Sequence, residues 1–145
     1  MSEAAAQRVR ESFARQTFMH TLGATLTQVA TGAVDIELPF SDTLVQQHGF
    51  LHAGVTTAIA DSACGYASLS LMSADAAVLS VEFKVNLLAP ARGVRFLARG
   101  RVLRSGRTIT VCRGDVLAFD EQGEGRAVLE MLSTMMTVRD RGIMD

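Results

Sequence analysis

Residues 49–68 read GFLHAGVTTAIADSACGYAS, and this stretch decides the fold. From Ala53 to Met72 the chain carries one charge, Asp61, among residues that are mostly Ala, Gly, Ser and Thr. As a membrane span it would hold Asp61 near its middle, at about 2.5–3.5 kcal/mol for a carboxylate at a bilayer centre. The segment therefore reads as a long helix buried in protein. Small residues on nearly every face let a sheet curl closely around it. The helix begins near Ala53 or Gly54, where unpaired backbone N–H groups and the helix dipole attract developing negative charge. Gly49 and Gly54 permit tight turns and close backbone approach. Gly54, Thr57, Ala58, Asp61 and Gly65 fall on one face, so a lone carboxylate stands where no bulk surrounds it and a ligand has room. The plainer reading of Asp61 is a polar residue satisfied at a subunit interface; a charge on such a helix argues for a task.

Outward from the helix the hydrophobic period changes to two. ATLTQVA and AVDIELP flank Thr31-Gly32, and Val34, Ile36 and Leu38 alternate with Asp35 and Glu37, the pattern of a hairpin with one wet face. After Ser73 come four strand-like stretches, VLSVEFKVNLL, VRFLARGRVLR, TITVCRGDVLAF and GRAVLEMLSTMMTV. Pro90 with Gly93, Ser105-Gly106 and EQGEG supply the turns between them. At the other end, Ser2 can cap a helix over 3–19 whose Val9, Phe13 and Thr17 form a stripe for docking. The expected order is helix, two strands, one long helix, four strands. The fold class is α+β with a mostly antiparallel sheet. A long curved sheet wrapped around one small-faced helix describes the hotdog architecture. One domain is expected over 1–145, with a polar, frayed tail over 139–145.

Composition narrows the partners. The chain has 145 residues, 48% hydrophobic and 20% charged, with 14 basic and 15 acidic residues and a net charge of −1. A chain this long buries about two-thirds of its unfolded surface in one core. The charge balance offers no general attraction for nucleic acid or an acidic membrane. Cys64 and Cys112 form no CxxC and no disulfide framework, and read as buried thiols. The first residues lack the apolar core of a secretory signal, and Glu3 and Glu11 argue against a transit peptide, so a cytoplasmic location is expected.

The stretch 49–68, with His-Ala-Gly at a helix start and an acidic residue two turns on, resembles the hotdog-fold acyl-CoA thioesterases of the PaaI-like, phenylacetate-degradation type. VEFKVNLLAPARG is similar to the strand and turn that follow the helix in that family, and RSGR to the hairpin before the next long strand. The resemblance runs over about 13–138. It implies that Asp61 is the catalytic carboxylate, as general base on water or as nucleophile. It implies that the backbone N–H at Ala53 or Gly54 polarises the thioester carbonyl, an oxyanion site made by a helix N-terminus. Ser80 matches a hydroxyl residue that steadies the water or the carboxylate. Gln46 falls where several relatives carry Asn and keeps the amide with one methylene more. His52 keeps the family's His and reads as a hydrogen-bonding group at the helix start. Ala53 stands where Gly often stands, and no second acidic residue lies on the helix.

Other chemistries fit less well. His48 and His52 straddle a helix start without the HExxH carboxylate, so no metal is expected. GRVLRSGRT has its glycines too far apart for a P-loop, and no G-x-S-x-G elbow makes Ser62 a nucleophile. Arg95, Arg99 and Arg101 read as a solvated sheet face. Arg104 and Arg107 flank a turn that the resemblance places near the CoA nucleotide, which makes them candidates for its phosphates. The expected activity is hydrolysis of a small aryl- or medium-chain acyl-CoA with no cofactor. The alternative is a catalytically silent hotdog protein that binds acyl-CoA or a fatty ligand. Tyr66, Leu69, Phe83, Met residues and a partner subunit are the expected pocket walls. A homodimer or a dimer of dimers is expected, because one sheet covers only part of the helix.

Overall fold

The computed structural model describes residues 1–139 and 142–143. The tail expected over 139–145 lies largely outside them. The elements are α1 (Glu3–Arg15), α2 (Thr17–Leu22), β1 (Thr25–Ala30), β2 (Ala33–Pro39), α3 (Ala53–Leu69), β3 (Ala77–Leu87), β4 (Arg95–Ser105), β5 (Ile109–Phe119) and β6 (Gly125–Val138). The strands form one antiparallel sheet in the order β1-β2-β4-β5-β6-β3. α3 lies across it and packs on β2, β4, β5, β6 and β3. This is the hotdog arrangement of an α+β fold.

The expected helix over 3–19 is corrected to two. Ser2 caps α1 by accepting from the Ala5 N–H at 3.2 Å, and Ala6, Val9, Ser12 and Phe13 are buried. At Gln16 the backbone leaves the helical region (φ −80°, ψ 88°). The Gln16 amide is held from outside α1: it donates to Ser62 Oγ at 3.3 Å and accepts from the Tyr66 hydroxyl at 3.2 Å. Thr17 consequently leaves the buried stripe and is exposed. α2 ends on Gly23 in the left-handed region. Arg8 ties α1 to the far end of α3, donating to the Leu69, Met72 and Ser73 carbonyls at 2.8, 3.2 and 2.5 Å. A guanidinium suits the negative end of the α3 dipole.

The core is made where strand alternation meets the helix. Val34, Ile36 and Leu38 of β2 are fully buried, as are Phe96, Val116, Leu129 and Ile59; each such side chain contributes about 1.5–3 kcal/mol on burial. α3 comes unusually close to the sheet because Gly100 of β4 and Gly114 of β5 stand opposite each other. A Cβ on Gly100 would lie 2.2 Å from the Ala63 carbonyl, and one on Gly114 2.9 Å from Cys64 Sγ. The small residues of the helix and this glycine notch are two halves of one contact.

Cys64 and Cys112 are free and buried. The hydrogen bond to Cys112, with burial, pushes the Cys64 thiol up, and Cys112 Sγ lies 3.0 Å from Ser68 Oγ. On the outer face of the sheet, Arg95 pairs with Glu37 at 3.1 Å, Arg99 with Asp115 at 2.7 Å and Arg101 with Asp35 at 2.6 Å. The arginines expected to be merely solvated thus have partners. No helix among the described residues is long and apolar enough to cross a membrane.

Candidate active site

The two ends of the expected site come from different parts of α3. His52 precedes the helix in extended conformation and its Nδ1 accepts from the Gly54 N–H at 2.8 Å. That bond requires a ring unprotonated at Nδ1. The His52 carbonyl takes the Val55 N–H at 2.9 Å. Of the two expected oxyanion donors, Gly54 is therefore engaged. The Ala53 N–H has no acceptor among the described residues. Gln46 lies beside this helix start in a loop closed by Gln46 N–H to Phe50 O (2.8 Å) and Gly49 N–H to Gln46 O (3.0 Å). Gly49 is left-handed (φ 81°), which turns the chain so that the Phe50 carbonyl can return to Gln46. Gln46 Oε1 accepts from the His48 N–H. Ala53 and Gln46 together line an apolar cavity of about 490 Å³, walled by Phe50, Leu87, Leu88 and Val128.

Asp61 opens on a different cavity, of about 310 Å³, between α3, β3 and the end of α1. Ser80 Oγ donates to Asp61 Oδ1 at 2.8 Å and also approaches Met135 Sδ at 3.4 Å. Burial lifts the Asp61 carboxyl above the ordinary carboxylate value, and the Ser80 bond opposes that rise. A carboxylate displaced this way is a better proton acceptor than one in water. Gly65, one turn on, leaves space beside it. Ser80 reaches Asp61 from a bulged strand: the β3–β6 register shifts between Ser80 and Glu82. The extra residue changes the strand's parity, so Val78 and Val85 both pack on the core although seven positions apart.

The other expected residues are placed as follows. Tyr66 lines the Asp61 cavity. Leu69 is fully buried and Phe83 is 44% exposed, and neither borders the Asp61 or the Ala53 cavity. Leu69 ends a helix whose last turn is sealed by Arg8, and Phe83 follows the β3 bulge on an edge strand. Arg104 and Arg107 are exposed at the β4–β5 turn and form no ion pair among the described residues. Among those residues no three His, Cys, Asp or Glu cluster as metal ligands. Arg15 and Gln16, absent from the sequence expectations, border the Asp61 cavity. The Gln16 amide is held there by Ser62 and Tyr66, and Gln carries no helix-stop signal.

One chain does not bring the helix-start amide and the carboxylate together. Eight residues at 1.5 Å each put Ala53 and Asp61 about 12 Å apart along the axis.

Residues 48–124 match the family model of the thioesterase superfamily. A thioesterase family protein of Silicibacter pomeroyi has a crystal structure 51% identical in sequence, with a TM-score of 0.91 over 93% of this chain and 98% of that one. The PaaI protein of the phenylacetic acid degradation operon of E. coli shares the fold, with a TM-score of 0.81 at 17% identity over 92% and 93% of the two chains. A protein of Saccharolobus solfataricus provisionally named an esterase is 32% identical over 80 residues, 55% of this chain and 56% of its own length. This chain therefore spans little more than half of that relative. With the family's pattern over residues 48–124 and half of all residues shared with a family member along nearly the whole length, the chain belongs to the thioesterase superfamily.

Proposed function

We propose that the protein hydrolyses the thioester of a small aryl- or medium-chain acyl-CoA, in the manner of PaaI-like thioesterases. The single observation that supports this most is the half-buried Asp61, held at 2.8 Å by Ser80 beside an open cavity. A protein that only bound acyl-CoA would have no use for a desolvated carboxylate there. Asp61 takes the proton of an attacking water, or attacks the carbonyl itself to give a mixed anhydride that water then hydrolyses, restoring the carboxylate. As the tetrahedral oxyanion forms, the Ala53 N–H donates to it, with the helix dipole behind. Gln46 offers its amide nitrogen at the same place, since its oxygen is taken by His48. His52 fixes the helix start by accepting from Gly54. The thiolate of CoA leaves, and Arg104 and Arg107 meet the nucleotide phosphates.

The reading requires two copies. Ala53 and Gln46 of one chain serve Asp61 and Ser80 of its neighbour, because a carbonyl must lie within about 3 Å of both groups and one chain holds them about 12 Å apart. An edge supports this too. β3 ends the sheet and exposes Leu79, Val81 and Leu87 at 42%, 53% and 58%. A long apolar edge strand calls for pairing. A symmetric partner laid along β3 would cover it and close two equivalent sites.

A thiol-release assay over a panel of acyl-CoAs, each also supplied as the acyl-pantetheine, tests the proposal. Turnover of acyl-CoA with a lower KM than its pantetheine counterpart is expected; binding without release of thiol would leave a silent binder.

A further inference from the structure

The cavity at Asp61 is polar on the side away from Ser80, and the end of α1 makes it so. Ser12, Arg15 and Gln16 border it there, facing Ser62 and Tyr66 of α3. The wall is a built one. Gln16 is clamped to Ser62 and Tyr66 by both ends of its amide, and Phe13 packs edge-on against Tyr66 at 5.7 Å between ring centroids. These contacts hold the last residue of α1, Arg15, at the cavity margin. Arg15 forms no ion pair among the described residues, with Asp61 or any other carboxylate. The Asp61 carboxyl itself is governed by burial and Ser80.

An acyl tail entering beyond the carbonyl would thus meet hydroxyls, an amide and a guanidinium. A plain alkyl tail would strip water from the Arg15 guanidinium and return no hydrogen bond. A tail ending in a carboxylate would receive the guanidinium, whose planar fork suits that group. We propose that Arg15 is a specificity-determining residue and that the preferred substrates are medium-length acyl thioesters tipped with a carboxylate. This rests on the hydrolase reading above and names its substrate class.

The test compares adipoyl-CoA with hexanoyl-CoA, equal in carbon number and differing at the tip. The intact protein is expected to favour adipoyl-CoA in kcat/KM by about tenfold, the scale of one charge-assisted hydrogen bond at a partly wet site. In Arg15→Gln the ratio should fall to about one, with the loss in KM for adipoyl-CoA; Arg15→Lys should keep part of it. Hydrolysis of hexanoyl-CoA as fast as adipoyl-CoA by the intact protein, or a preference that survives Arg15→Gln, overturns this inference and leaves the hydrolase reading standing. Release of thiol from no acyl-CoA at all overturns both.

Discussion

Replacing Ala53 with proline removes one hydrogen-bond donor from the first position of α3 and disturbs little else. Proline is favoured at that position, where the N–H has no partner within the helix. His52 before it already has φ −61° and ψ 138°, the extended conformation a residue preceding proline requires. If the Ala53 N–H stabilises the oxyanion, its loss should lower kcat by about 10²–10³ with little change in KM. The magnitude has a second part, set by the two-chain site. Each Ala53→Pro chain keeps Asp61, and each Asp61→Asn chain keeps its helix-start amide. Refolding the two together in equal amounts makes about half the dimers hybrid, each with one intact site. The mixture should recover about a quarter of the wild-type activity, read by thiol release, from parents that are each nearly inactive. A folded Ala53→Pro protein with wild-type kcat would refute the oxyanion assignment. Verified hybrids without recovery would refute the pairing of Ala53 with a neighbour's Asp61.

Other consequences are open to measurement. Ser80→Ala removes the bond that favours the charged form of Asp61, so the low-pH limb of kcat/KM should move to higher pH while the plateau above it persists; an unmoved limb contradicts the coupling. Asp61→Asn should raise Tm at neutral pH. The native state holds the carboxyl above its unfolded value, so wild-type stability falls as pH rises through the interval between those two values. The uncharged Asn escapes this, and the advantage should vanish below the ordinary carboxylate range; a variant less stable at neutral pH would show Asp61 to be a structural partner. Gly100→Ala places a Cβ 2.2 Å from the Ala63 backbone, and should destabilise by about 3 kcal/mol, a fall in Tm of roughly 10 °C; thermal melts decide.

The elements that could be read from the sequence are those whose signal is local. The alternation of Val34, Ile36 and Leu38 and the four later strands gave the sheet. The small-residue run with one charge gave α3 from Ala53 to Leu69 and the face bearing Asp61. The His-Ala-Gly resemblance brought Gln46, His52 and Ser80 into view. What escaped depends on contacts distant in sequence. The break at Gln16 is made by Ser62 and Tyr66, some fifty positions away. Nothing in TFMHTL marks it, and Gln16's place in the polar wall went unseen with it. The β3 bulge after Ser80 is invisible in SVEFKV, yet it sets which residues beyond it share the face of Val78 and Ser80. The role of Gly100 and Gly114 comes from their cross-strand pairing, which sets them under α3. The choice between the Ala53 and Gly54 amides turned on a ring orientation at His52.

The central claim is that Asp61 performs the chemistry. Asp61→Asn is nearly isosteric, keeps a group that can accept from Ser80, and cannot act as base or nucleophile. With the best acyl-CoA from the panel at saturating concentration, thiol release should fall by at least ~100-fold, while calorimetry still detects binding of the same acyl-CoA. A folded, dimeric Asp61→Asn protein that releases thiol at close to the wild-type rate would contradict it.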